Sequence, residues 1–131
     1  MRKLDYCGAI REAMFQEMER DDSVFVYGIG VPNWSSIFGT TKGFVGKFGK
    51  ERCFDTPISE DAMTGFGLGA AISGLRPIHV HIRVDFMLLA TNQLINLVSN
   101  YSYSTGGKHK VPLVIRAIIG RGWGQGAQHS K

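Results

Sequence analysis

Near the start of the chain, Ile10, Ala13, Met14 and Met18 recur on one face of a helix, with Arg11, Glu12, Glu17 and Glu19 outside it. The spacing predicts an amphipathic helix over residues 6–20. The pattern then shortens to "SVFVYG", a buried strand ending at Gly28, followed by a loop over 29–40. "TKGFVGKFG" reads as a weak helix stopped by Gly49, and "RCFD" as a brief strand closed by Thr56 and Pro57. Ser59 is placed to cap the next helix, with Glu60 and Asp61 in its first turn, where acids suit the helix dipole. That helix runs to Gly74, and Pro77 opens the strand "IHVHIRV". "LLATNQLINLVSNYSY" predicts a helix whose second face is polar but hardly charged, and "VPLVIRA" a continuous apolar strand. Strands that alternate with helices and are apolar on both faces imply an α/β fold, a mostly parallel sheet with helices on both faces.

At 131 residues there is material for one domain with a single modest core. The fraction of hydrophobic residues, 44%, is that of an ordinary globular chain, and no run approaches the ~18 apolar residues of a membrane span. Charges interrupt the N-terminal stretch where a signal peptide would be apolar, which argues against export. Cys7 and Cys53 have neither metal-ligand spacing nor the number for a disulfide framework, so a reducing compartment is expected. The net charge of +4 is spread along the chain with no basic stripe, which argues against nucleic-acid binding. Seventeen glycines change the picture more. They cluster at 28–49, 65–74 and 106–126, as functional loops and close backbone approaches require.

One cluster invites a specific reading. Gly65, Gly67 and Ala70 match G-x-G-x-x-A, with Asp85 about 20 residues on, the outline of a dinucleotide fingerprint. That motif needs its first glycine in the turn between strand and helix, whereas Gly65 falls inside the predicted helix. Close packing of Gly65, Gly67 and Gly69 against a neighbouring element or a partner subunit accounts for them better. His79 and His81 share one face of a strand, a spacing compatible with metal ligation, but no third ligand is near, so core histidines are expected and no metal site is assigned. His109 lies in a basic loop. His129 lies in a glycine-rich loop after a buried strand, at the sheet edge where α/β sites form. Glu60, taken alone, reads first as a dipole-compensating acid and only second as a functional carboxylate.

The segments "RCFDTPISE", "GLGAAISGLRPI", "DFMLLATNQLIN", "STGGKHKVPLVIR" and "GRGWGQGAQHS" decide further. Together they resemble, in one register over nearly the whole chain, the β subunit of the thiamine-diphosphate-dependent decarboxylase component of 2-oxo acid dehydrogenases. Pyruvate, branched-chain and acetoin dehydrogenases belong to that group. The resemblance implies that residues 1–131 are a transketolase-like pyrimidine-binding domain, incomplete at its C-terminus; a terminal Lys131 is also what tryptic cleavage leaves. It implies oxidative decarboxylation of a 2-oxo acid with acyl transfer to lipoamide. The glutamate matching Glu60 would share a proton with N1′ of the cofactor's aminopyrimidine, favouring the 4′-imino tautomer that takes the thiazolium C2 proton. Phe86 would pack on the pyrimidine ring, Ile58 would also contact the cofactor, and His129 would stand at the site entrance to handle the intermediate or receive lipoamide. Read from position alone, Phe86 is equally a core phenylalanine at a strand end.

The same resemblance implies an α subunit holding magnesium and the diphosphate, a second β subunit, and a lipoyl-bearing acyltransferase as partners. It places the chain in the cytoplasm, or in the mitochondrial matrix of a eukaryote. The sequence departs from the family pattern at Ile29, where an acid linking paired sites is usual, at Val80, where another acid is usual, and at Met63, which replaces a glycine. Two alternatives follow. One is a non-catalytic half-site or assembly module, and the other a transketolase-like transferase that dispenses with lipoamide.

Overall fold

Four parallel strands in the order β2-β1-β3-β4 form the sheet in the computed structural model, which describes residues 2–33, 35–120 and 124–129. Parts of the "GRGWGQGAQHS" motif, 121–123 and Ser130, lie outside the described residues. Helix α1 (Tyr6–Arg20) precedes β1 (Val24–Tyr27), as its amphipathic spacing predicts. Asp5 caps it by accepting a hydrogen bond from the Gly8 N–H at 2.6 Å. Arg52 locks α1 to β1, donating to the Met18, Asp21 and Val24 carbonyls. Helix α2 (Phe44–Phe48) stops at Gly49, whose φ of 80° only glycine adopts readily. Then come β2 (Cys53–Phe54), α3 (Glu60–Ile72) and β3 (Arg76–His81).

Alternation along the strands creates two different layers. Val24, Val26, Ile78 and Val80 join Met14, Met18 and Phe44 in an aliphatic core under α1 and α2. The residues between them, Phe25, Tyr27, His79 and His81, face α3 and build an aromatic layer with Phe54 and Phe66. Helices therefore cover both faces. The chain leaves β1 close alongside β3: a Cβ on Gly28, at φ 148°, would lie 2.2 Å from the Val80 carbonyl oxygen.

Beyond β3 the structure departs from the sequence pattern. The helical backbone starts early, at α4 (Val84–Met87), tightens into a 3-10 turn at Leu88–Ala90 and widens into a π-helix at Gln93–Val98 before α5 (Ser99–Ser104). The Ser99 hydroxyl and the Asn100 amide both donate to the Ile95 carbonyl, at 2.6 and 3.0 Å, competing with the regular helical ladder there. Strand β4 (Val114–Ala117) starts later than its apolar run, because Pro112 has no N–H for the ladder. It pairs with β3 alone among the described residues, and Val114 is 55% exposed, so β4 is not buried on both faces. Ser59 occupies the N-cap of α3 but its side chain makes no capping hydrogen bond.

The glycines of α3 answer to this chain first. A Cβ on Gly67 would lie 2.2 Å from the Tyr27 hydroxyl, and one on Gly65 would meet the Gln93 side chain at 3.2 Å. Gly69 faces open space. Of the two expectations for these glycines, packing against a neighbouring element of the chain accounts for Gly65 and Gly67. Gly67→Ala should lower the unfolding free energy by about 1–3 kcal/mol through overpacking. Gly69→Ala should raise it by ~0.5–1 kcal/mol, because alanine is the better helix former and touches nothing there. Urea titrations of both variants check this, and equal destabilisation would remove Tyr27 as the reason for Gly67.

Candidate active site

A small recess opens at the carboxyl ends of the parallel strands, where open α/β sheets place their sites. Its rim and floor include Ile29 after β1, Thr56, Pro57 and Ser59 after β2, Glu60 and Met63 of α3, and His79, His81 and Ile82 of β3 and its end, with Phe86 of α4. Asp55 holds the rim together: its carboxylate accepts from the Gly30 and Thr56 N–H groups, both at 2.9 Å. Glu60, in the first turn of α3, lies in this recess among mainly apolar neighbours. Ile29, Met63 and Val80, the three positions that depart from the family pattern, all border this recess.

Beneath Glu60 lies a buried polar layer. The Thr64 hydroxyl donates to the Glu60 carbonyl at 2.8 Å and stands 3.4 Å from His79 Nδ1 and 3.5 Å from His81 Nε2. With its proton on the Glu60 carbonyl, that hydroxyl has only lone pairs to offer the imidazoles. His79 stacks on Tyr27 with ring centroids 4.4 Å apart, and the Tyr27 hydroxyl donates to the Met63 carbonyl at 2.9 Å. Burial pushes the His79 pKa down to about 3, reinforced by repulsion from His81. Burial also lowers that of His81, while the charge of Glu60 pulls it the other way. Both imidazoles are therefore neutral near pH 7. Among the described residues no three His, Cys, Asp or Glu side chains are grouped to hold a metal ion.

The sequence-identified residues converge in part. Glu60 and Phe86 line the same recess. His129, in a 3-10 turn at Ala127–His129, meets Phe86 edge-on with centroids 5.1 Å apart, so Phe86 links the other two. Ile58 does not join them, since its side chain points outward and is 83% exposed. His109 lies away from the recess, beside Tyr101. Sequence reasoning missed Thr64 and Tyr27, whose roles depend on the layer between α3 and the sheet. It also missed Arg83, a buried guanidinium at the end of β3, for which an arginine inside an apolar strand run is the available signal. Among the described residues no helix is long and apolar enough to cross a membrane.

Neutral burial of His79 couples folding to pH. Its pKa is 6.5 ordinarily and about 3 in the folded chain, so between these values the unfolded chain binds a proton the native one does not. This contribution is fully present above pH ~6.5 and falls as the pH drops, by up to about 1.4 kcal/mol per unit. Unfolding free energy measured from pH 7.5 to 4.5 should lose part of this slope in His79→Phe, which keeps the stack and cannot titrate. Identical slopes would show that His79 protonates freely in the folded state.

The comparisons with known proteins agree on one family. A family model described as the transketolase pyrimidine-binding domain matches residues 2–131. The chain is 45% identical, over 94% of its length, to the pyruvate dehydrogenase E1 component subunit beta of Chaetosphaeridium globosum, and spans 38% of that relative. It is 43% identical to the chloroplastic pyruvate dehydrogenase E1 component subunit beta-4 of Oryza sativa subsp. japonica, over 94% of this chain and 31% of the relative. It is 41% identical to the acetoin:2,6-dichlorophenolindophenol oxidoreductase subunit beta of Cupriavidus necator, over 99% of this chain and 41% of the relative.

Proposed function

This chain belongs to the transketolase pyrimidine-binding domain family, and we propose that it is part of the β subunit of a 2-oxo acid dehydrogenase, where it holds the pyrimidine half of thiamine diphosphate. The observation that carries this reading is a carboxylate in a mainly apolar recess together with an aromatic ring, Glu60 with Phe86. That donor set fits an aminopyrimidine: one acid for a ring nitrogen, and apolar walls for the ring itself. When bound, the cofactor supplies the electron sink for cleavage of the bond to the carboxylate carbon. Glu60 holds the proton shared with the ring nitrogen at its carboxyl oxygen. Phe86 packs on the ring, a contact contributing about 0.5–1.5 kcal/mol beyond area burial. Ile29, Met63 and Ile82 exclude water around that proton.

His129, beside Phe86, serves the reaction intermediate or the incoming lipoamide at the mouth of the recess. Magnesium and the diphosphate are assigned to an α subunit, because the recess formed by the described residues offers a carboxylate and mainly apolar walls but no cationic side chain for a polyanion. Leu88, Leu89, Ile95 and Leu97 are all exposed on a helical stretch without charged residues, which supports packing against the α subunit and a second β subunit. The reaction is oxidative decarboxylation of a pyruvate-like 2-oxo acid, with the acyl group passed to a lipoyl-bearing acyltransferase.

The test is Glu60→Gln in the full chain assembled with its α partner. The amide preserves size but removes the proton that the ring nitrogen shares. Deuterium exchange at the cofactor's thiazolium C2, followed by quenched NMR, should slow by two or more orders of magnitude, about 3 kcal/mol or more of barrier. Cofactor affinity should change far less, since Phe86 remains. If Glu60 only compensates the α3 dipole, exchange stays at the wild-type rate and the substitution lowers stability by about 0.3–1 kcal/mol.

A further inference from the structure

We infer that Arg83 is a positioning residue that sets the place of His129 over Phe86 by gripping Gln125. The guanidinium is buried, with Arg83 only 5% exposed. Its Nε and Nη2 both donate to the Gln125 side-chain carbonyl oxygen, at 3.1 and 2.6 Å, and its Nη1 donates to the Ile82 carbonyl at 2.8 Å. A planar fork that closes on one oxygen fixes orientation as well as distance, which an ammonium cannot do.

Both sides of the Phe86–His129 contact hang from this one residue. Arg83 is the N-cap of α4, and its carbonyl accepts from the Phe86 N–H at 3.2 Å and the Met87 N–H at 3.3 Å. Its side chain meanwhile holds Gln125, at the head of the short segment that ends in His129. Residue 83 therefore ties the ring that lines the recess to the imidazole that meets it edge-on at 5.1 Å. The grip has its own support. Phe38 lies against the guanidinium, 5.0 Å from ring centre to Cζ. It is delivered by a left-handed turn in which Ser36, Ile37 and Phe38 have φ of 46°, 47° and 55°. Three consecutive non-glycine residues keep such angles only where the surroundings over-determine them. Two irregular segments, from opposite ends of the chain, thus converge on one buried cation.

The geometry stands by itself, whereas its catalytic consequence rests on the function proposed above. The experiment is NMR of the full chain with labelled histidines, reading the displacement that the Phe86 ring current imposes on the His129 ring protons. Phe86→Ala identifies that displacement. Gln125→Met, on an exposed side chain, and Arg83→Met should each largely abolish it while the His79 and His81 signals stay in place. Gln125→Glu, which keeps an acceptor for the fork, should retain it. The double variant should lose no more than either single one. An unchanged His129 signal in Gln125→Met overturns the inference, including where Arg83→Met fails to fold. In the assembled enzyme, Gln125→Met should lower kcat with little change in KM. If the His129 signal moves and kcat does not, the grip stands and the role given to His129 falls.

Discussion

The Tyr27 side chain stands between the sheet and α3, its ring stacked on His79 and its hydroxyl donating 2.9 Å to the Met63 carbonyl. Gly67 passes so close to the hydroxyl that a single methyl group would collide with it. The separation of helix and sheet is thereby set at one side chain, and with it the height at which the first turn of α3 presents Glu60. A smaller residue at 27 would let α3 sink and narrow the recess, and a methyl at 67 would lift the helix from the sheet. Burial drives the Tyr27 phenol above its ordinary pKa, so it is a neutral donor near neutral pH.

The polar layer behind Glu60 has an electrostatic consequence. His79, His81 and Thr64 are almost wholly buried, yet none of them carries charge near neutral pH. Dipolar groups therefore support the Glu60 backbone without offering its carboxylate a cation. A buried lysine or arginine in the same place would pair with Glu60 and compete with any ring nitrogen for it. The imidazoles instead contribute volume, stacking and hydrogen-bonding capacity. Of the two, His81 is the one whose protonation the charge of Glu60 favours, against the larger effect of burial.

Much of this was legible in the sequence, wherever local pattern decides structure. The run from Ile10 to Met18, capped by Asp5, needs only its own spacing to form α1, and Gly49 ends α2 for a backbone reason alone. The place of Glu60 at a helix start, after a proline turn, was equally readable. What escaped was set by distant partners. Ser59 has the right identity for a cap but makes no capping bond in the loop that Asp55 draws toward Gly30. The π-helix at 93–98 depends on two side chains meeting the Ile95 carbonyl, which hydrophobic periodicity does not report. The glycines of α3 suggested a partner, and the nearest one proved to be Tyr27, on a strand far away in sequence. Ile58, adjacent to residues that line the recess, faces outward at a bend in the loop, which the sequence pattern does not report.

Phe86 shows how the recess and the loop bearing His129 become one device. Its position follows from the end of β3, because α4 begins at once and the Val84 N–H donates to Ile118, just past β4, at 2.9 Å. No loop intervenes to absorb movement. The backbone that carries Phe86 is thus tied directly to the β3–β4 pairing. His129 is held differently, through side-chain contacts on an exposed segment, and can be moved at the expense of a few hydrogen bonds. On the proposed function this division is physically sensible. The ring that orients a cofactor must not move between turnovers, whereas the group that meets an incoming carrier must be reachable from outside. The stiffness of each follows from how it is attached: Phe86 by backbone to the sheet, His129 by the grip of Arg83 on Gln125.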